Sequence, residues 1–416
     1  MLSSLKRKMA MYGPGLLYAG AAVGVSHLVQ STRAGAEFGF SLLWLIILVN
    51  VVKYPVFEAG PRYAAITGKS LLDGYNQLHR YAVWLYIVIT VSTMFIIMAA
   101  IAVVTAGLFS LFSGISADVR LIASAMLAAS ALILAVGHYS MLDQLMKFII
   151  VILTLCTLLA LVFAFVNQPT LSAGGEGSFS WLNREHVIFL AALIGWMPAP
   201  VDISIWHSVW TVSKSREQGR GVDLPSALRD FKLGYWGTTF LACCFLTLGA
   251  KIMHGEGIKP ASSAVAFSSQ FVSMYTKNLG SWSFIIIALA AFTTMFSTLL
   301  TCLDAFPRTL RTATKLIFPQ VDGHRYHYKI YLVWLALVCV GTIALLLFMY
   351  SNMQQMVDTA TTISFVIAPV LAWLNYLTMA KTHQGFSTQR RAAYLVSLFV
   401  LAAFSVAFLV YRYGFM

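Results

Sequence analysis

The sequence predicts an all-α integral membrane protein of eleven transmembrane helices, arranged as a 5+5 inverted repeat plus one peripheral helix. Three observations carry that expectation. Hydrophobic residues make up 59% of the 416 and charged ones only 10%, with a mean hydropathy of +0.79, so there is too little polar side chain to coat a water-soluble globule. Apolar stretches long enough to cross about 30 Å of hydrocarbon occur eleven times. The first and sixth are interrupted, about 175 residues apart, in corresponding positions of the two repeats.

The spans fall at 13 to 32, 39 to 66, 82 to 109, 118 to 138, 144 to 166, 187 to 211, 230 to 253, 281 to 310, 328 to 350, 355 to 379 and 391 to 413. Residues 1 to 380 read as one transport domain, with repeats at 13 to 166 and 187 to 379 and the additional helix at 391 to 413. Five spans per repeat is an odd number, which forces the second repeat to be inverted relative to the first. The basic start Lys6-Arg7-Lys8 runs directly into a full-length span, so no cleavable signal is expected.

The net charge of +13 is spread through short connections rather than gathered on one face, which argues against nucleic acid as a partner. A cytoplasmic N-terminus places 19 Lys and Arg on the cytoplasmic side and 7 on the other, the asymmetry of the positive-inside rule. The C-terminus is then outside, and the expected location is a bacterial inner (plasma) membrane. Cys156, Cys243, Cys244, Cys302 and Cys339 all lie inside apolar spans without CxxC spacing, so neither a disulfide framework nor a zinc site is expected. No nucleotide loop, HExxH or GxSxG is present, and enzyme activity and a bound cofactor are not expected.

The first break is Gly24-Val25-Ser26-His27; the second is Gly195-Trp196-Met197-Pro198-Ala199-Pro200-Val201-Asp202. Each releases backbone groups at membrane depth that must face protein, water or a ligand. Gly13-Pro14-Gly15, Ala34-Gly35-Ala36-Glu37-Phe38-Gly39, Leu43-Trp44, Asn50 and Ile66-Thr67-Gly68-Lys69-Ser70-Leu71 together resemble the first two helices of the NRAMP divalent-metal transporters, and Met197-Pro198 resembles the start of their sixth-helix motif. The resemblance implies the fold of the amino-acid, polyamine and organocation superfamily and the transport of a divalent cation coupled to protons. It also implies a polar ligand near Thr362. The site itself is rewritten. Where the family has Asp-Pro-Gly-Asn this chain has Gly24-Val25-Ser26-His27, where it has Met-Pro-His this chain has Met197-Pro198-Ala199, and its third-helix acidic pair aligns with Thr93 and Ile96.

A divalent ion at the midplane needs negative or strongly dipolar ligands to replace its water. Gly24 offers a carbonyl, His27 and Met197 are softer ligands suited to transition metals, and Asp202 is the only acid in either break. His27, Met197 and Asp202 are thus the candidate metal ligands, with Gly24, Ala199 and Thr362 as further substrate contacts. Asp202 reads equally as the N-cap of a following half-helix. His27 reads as a proton acceptor or as a ring hydrogen-bonded to a carbonyl, and His207 as a path-lining group or a packed one.

Lys53, Glu58, Arg62, His207 and Asp304 are the candidates for moving charge. Glu58 and Arg62, and likewise Asp304 and Arg308, stand at i, i+4 and are expected to pair. Lys53 lies deeper and is expected to find its counter-charge in Glu58 or in an acid such as Asp304. Asp358 caps its helix or lines an entrance.

The reading is a secondary active transporter working by alternating access in the lipid bilayer, with a divalent cation as first substrate. A small organic or anionic solute is the alternative that Lys53 suggests. A non-transporting sensor or scaffold is a third, since the resemblance extends to the membrane part of plant ethylene-signalling proteins; it needs a soluble output domain that the sequence does not offer.

Overall fold

The first expected span folds as two pieces, and the reason is local. Helix α1 (Pro14–Ala22) stops where the Gly24 amide turns back to Ala22 O (2.8 Å). The chain restarts as a π-helical turn, Ser26–Ser31, that runs into α2 (Thr32–Phe38). The structure, a computed structural model, describes residues 14–137, 139–167, 179–217, 219, 221–321, 324–382 and 386–413. Lys6-Arg7-Lys8 and Gly13 lie outside the described residues, as does the side chain of Lys147.

The remaining helices follow the expected order: α3 (Leu43–Thr67), α4 (Leu71–Leu78), α5 (Arg80–Ser113), α6 (Val119–Val136), α7 (Tyr139–Asn167), α8 (Arg184–Trp196), α9 (Asp202–Glu217), α10 (Leu224–Leu248), α11 (Ala264–Leu279), α12 (Ser283–Ile317), α13 (His324–Met349), α14 (Met353–Lys381) and α15 (Thr388–Tyr413). Among the described residues, eight helices are long and apolar enough to cross a membrane uninterrupted. A further apolar helical stretch, Val151–Val166, lies in α7, and the two broken spans are α1 with α2 and α8 with α9. The expected spans fall on helices, eight of them long and apolar enough to cross uninterrupted. Two short helices had not been counted as spans. The α4 helix is closed by a capping box, Ser70 with Asp73, and α11 buries Phe267, Phe271 and Tyr275 against the bundle.

Helices α5 and α12 are the long central pair, and the two broken helices pack beside them. Leu132, Val340, Phe348 and Phe399 point outward from α6, α13 and α15, the apolar surface expected of an integral membrane protein facing lipid.

Glycines set the closest approaches. A Cβ on Gly15 would lie 2.3 Å from Asp230 O and one on Gly234 2.5 Å from Gly15 O, so α1 and the start of α10 touch backbone to backbone. At the other end, a Cβ on Gly35 would stand 2.0 Å from Leu246 O and one on Gly249 2.3 Å from Thr32 O, which fastens α2 to the end of α10 and to the π-helical turn Gly249–His254 that continues it. Asp230 also accepts from the Gly15 amide (2.7 Å), placing a carboxylate at the N-terminus of α1. Asn50 adds a third tie. It accepts from Thr239 Oγ1 (2.9 Å) at its side chain and from Tyr235 OH (2.6 Å) at its backbone carbonyl, joining α3 to α10.

Candidate transport site

The two breaks meet. Ser26 Oγ of the first lies 3.4 Å from Pro198 O of the second, and the π-helical turn packs on α8. In the second break α8 ends at Trp196, and Met197 takes an extended backbone (φ −92°, ψ 117°). Pro198 and Pro200 then remove two amides. Helix α9 restarts at Asp202, with Ser204 Oγ donating to Val201 O (2.8 Å) and receiving from Asn375 Nδ2 (2.8 Å).

In the first break the carbonyls released by the turn are met from α12. Thr298 Oγ1 lies 2.9 Å from Gly20 O, 3.2 Å from Val23 O and 3.2 Å from Thr294 O of its own helix, with a single hydrogen to give. Gly24 is small because Thr298 Cγ2 would stand 2.7 Å from any Cβ there. Replacing Thr298 by Val leaves two membrane-depth carbonyls without that donor, an expected loss of about 1–3 kcal/mol that thermal unfolding in detergent would register. Unchanged melting would show that the hydroxyl is not what satisfies the break.

His27 is buried and both ring nitrogens are spent. Nε2 donates to Thr238 O (3.0 Å), which can only accept, and Nδ1 faces Ser26 Oγ (2.8 Å). The carbonyl-bonded reading of this ring is the one the structure shows, and a metal at Nδ1 would displace Ser26. Gly24 O is likewise taken, by the amides of His27 (3.1 Å) and Leu28 (2.9 Å).

Met197 packs in an apolar cluster with Phe38, Phe189 and Phe365, and Ala199 is buried in the main core. Asp202 is 6% exposed. Its Oδ1 has no hydrogen-bond partner. It opens α9 rather than preceding it, so the cap expected of it is not made. Thr362 Oγ1 is also buried and unpartnered. Among the described residues no three of His, Cys, Asp and Glu gather in the manner of a metal site. Of the six expected substrate contacts, Asp202 and Thr362 are therefore the ones with unspent side-chain atoms.

Glu58 pairs with Arg62 (2.5 Å) and accepts from Tyr54 OH (2.5 Å). Asp304 pairs with Arg308 and accepts from Tyr331 OH (2.7 Å). Both pairs are as spaced in sequence. Lys53 corrects its expectation: neither Glu58 nor Asp304 meets it, because those acids are occupied on their own helices, and its Nζ instead donates to Ile194 O (2.5 Å) and Gly195 O (3.2 Å). Of the charge candidates, Glu58 and Arg62 are joined, while Lys53 and Asp304 bond to other groups.

Two ends of the site differ. At the α2 end, Arg33 is 1% exposed, and its guanidinium reaches Asp358 Oδ1 (2.7 Å) and Oδ2 (3.3 Å), Gln30 Oε1 (3.0 Å) and the ring of Phe189. Gln30 Nε2 donates to the same Asp358 oxygen (3.0 Å), and Glu37 stands 3.4 Å from Arg33 Nε. Asp358 is not the cap, a role Asn352 fills for α14, and its side chain is 21% exposed. At the α1 end, a cavity of about 350 Å³ is lined by Pro14, His207, Thr211, Lys214, Asp223 and Asp230. His207 lies against Tyr18 and Phe231, with Nδ1 unpartnered. One end is closed by an ion pair and the other holds a cavity.

The family model described as natural resistance-associated macrophage protein-like matches residues 15–412. The chain belongs to the Nramp family. It is a membrane transporter, not an enzyme. An uncharacterized protein of Pasteurella multocida is 31% identical over 415 residues, covering 99% of this chain and 94% of that one. A divalent metal cation transporter of Pseudomonas aeruginosa is 24% identical over 264 residues, 60% of this chain and 58% of its own length. Among solved structures, a variant of the Eremococcus coleocola manganese transporter superposes with a TM-score of 0.71 at 12% identity, covering 96% of this chain and 86% of that one. A nucleobase-cation-symport-1 family transporter in a closed conformation gives 0.58 at 12% identity, covering 96% and 92%. These likenesses show that the Nramp chain has the transporter fold of two inverted repeats.

Proposed function

We propose that this Nramp protein is a secondary active transporter that carries a divalent metal cation across the membrane by alternating access between its two breaks. The observation that carries the reading is Asp202, a buried carboxylate with an unpartnered oxygen at the second break. Carboxylate is the ligand a partly dehydrated divalent ion needs most. Thr362 Oγ1, also buried and unpartnered, is the second group offered, with the Met197 thioether and the Ala199 backbone of the same break as further contacts; the Gly24 carbonyl would join only by releasing its two amides, and His27 by giving up Ser26.

With the N-terminus cytoplasmic, the Arg33–Asp358 end is the outer one and the Pro14 cavity opens inward. The conformation is then closed outside, with His207 lining the inner path. The described helices act as one transport domain in the bilayer of a bacterial inner membrane.

Manganese uptake into proteoliposomes tests the proposal. Asp202→Asn keeps the shape of the side chain and removes its charge, and uptake is expected to fall at least about tenfold, the ratio that about 1.4 kcal/mol of lost binding produces. Uptake unaffected by Asp202→Asn would remove the carboxylate from the site. Accumulation of a labelled organic anion in the absence of any manganese uptake would replace the metal as substrate.

A further inference from the structure

We infer that Lys53 is a tethered cation that fills the carbonyl end of α8, so that the transported ion binds without Ile194 O and Gly195 O, and that removing its charge opens a second cation position there. The inference rests on the metal reading above and deepens it by naming a residue that sets how many ions the site takes.

The end of α8 is built to attract positive charge. Its last carbonyls are short of amide partners because Met197 is extended and Pro198 and Pro200 have no N–H; Ile194 O keeps only a long bond from the Met197 amide (3.4 Å). A 13-residue helix adds the negative end of its dipole. An oxygen-lined helix terminus at membrane depth is a place where a mobile cation would lose water and bind.

In this protein the place is taken from within. Lys53 enters from α3 with 0% exposure and sets its Nζ 2.5 Å from Ile194 O and 3.2 Å from Gly195 O. Among the described residues no acid shares that amine. Glu58 on its own helix is paired with Arg62, and Asp358 on α14 is paired with Arg33. Asp202 on α9 makes no hydrogen bond to it, its Oδ1 having no partner, and Asp230 on α10 holds the Gly15 amide. Of the other titratable groups on helices packed against α3, His207 faces Tyr18 and Phe231, Tyr235 donates to Asn50 O, and Tyr394 donates to Ala372 O. The charge of Lys53 is therefore matched by the helix end alone, as that of a bound ion would be.

A buried ammonium without a carboxylate is costly in a membrane. A structural cap could be supplied far more cheaply by a hydroxyl or an amide, which would satisfy the carbonyls without carrying charge through the bilayer. The charge has a distinct effect, which is to repel any second cation brought beside it. It cannot leave with the cargo, so those two carbonyls stay out of the transport cycle in this conformation.

Calorimetry with manganese ion on the full chain in detergent provides the test. Wild type is expected to bind one equivalent. Lys53→Met, similar in length and uncharged, is expected to bind a second equivalent or to bind at least tenfold tighter. Lys53→Gln keeps a donor for the carbonyls, guarding against a misfolded methionine variant, and is expected to do the same. Lys53→Arg keeps the charge and should retain the wild-type stoichiometry. A purely structural lysine would change melting temperature without changing the number of ions bound. Wild-type, Lys53→Met and Lys53→Gln proteins that all bind manganese alike would overturn the inference and leave the metal reading standing. If no protein in the set binds manganese, the metal reading itself falls and the inference falls with it.

Discussion

Asp358→Asn should unlock the α2 end of the transporter and lower its stability at once. Arg33 is nearly buried and carries its charge against Asp358, with Gln30 bridging the two. Removing the carboxylate charge leaves a guanidinium inside the protein with Glu37 as its remaining acid at 3.4 Å. Stripping one partner from a buried pair costs about 3–5 kcal/mol, and here the cost falls on the closed conformation, because the pair joins α2 to α14 only while that end is shut. The population should move toward states open at Arg33. A thiol-reactive probe added from that side should label Val29→Cys, in a background without the five native cysteines, much faster once Asp358→Asn is introduced. Asp358→Glu, which keeps the charge, should label slowly. Equal labelling of all three, with no loss of melting temperature, would mean that the ion pair does not hold the end closed.

Gly195→Ala and Gly60→Ala are expected to be among the most damaging single methyl groups in the chain. A Cβ on Gly195 would sit 2.0 Å from Thr361 O, and one on Gly60 2.0 Å from Ser204 O. Both obstacles are backbone carbonyls, which cannot rotate aside as a side chain can, so α8 must move off α14 or α3 off α9. Overpacking of this kind commonly costs 1–3 kcal/mol, and more where the obstacle is backbone. The contacts displaced are those that hold the second break, so little monodisperse protein should survive size-exclusion chromatography. Gly237→Ala is the contrast. It lies on an exposed face of the same kind of helix with nothing within 4 Å, and alanine there should be neutral or stabilise by up to about 1 kcal/mol. If the three variants behave alike, backbone proximity is not the reason for glycine at 60 and 195.

What was legible in the sequence was whatever depends on neighbours along the chain. The breaks at Gly24 and at Pro198 and Pro200, the i, i+4 pairs Glu58–Arg62 and Asp304–Arg308, and the position of each span follow from local chemistry, and the structure has them. What was not legible is set by long-range approach. Arg33 read as one more charge near a span end, yet it is buried against a residue 325 positions away. Lys53 was expected to seek an acid, but the bonds that satisfy it go to carbonyls 141 and 142 positions away, and a carbonyl carries no residue signal. Thr298 carries no signal in the sequence, since a threonine in an apolar helix usually bonds its own preceding turn; here the same hydroxyl also reaches the first break. The only available cue was the pairing of a small residue, Gly24, with a helix expected to pass beside it. His27 and Asp202 were correctly placed at the breaks, but the spending of both His27 nitrogens depended on Thr238, on a helix whose facing could not be read.

Both halves of the first broken helix are fastened to one continuous helix, α1 through Gly15 and Gly234 to its beginning and α2 through Gly35 and Gly249 to its end. A joint whose two arms are both bolted to the same beam cannot fold; the beam must tilt and take both arms with it. The first interruption is then not a hinge in the working cycle. In this conformation it is a notch braced on both sides, and a cycle that kept these contacts would open and close by moving that lever against the α8 and α14 side of the molecule.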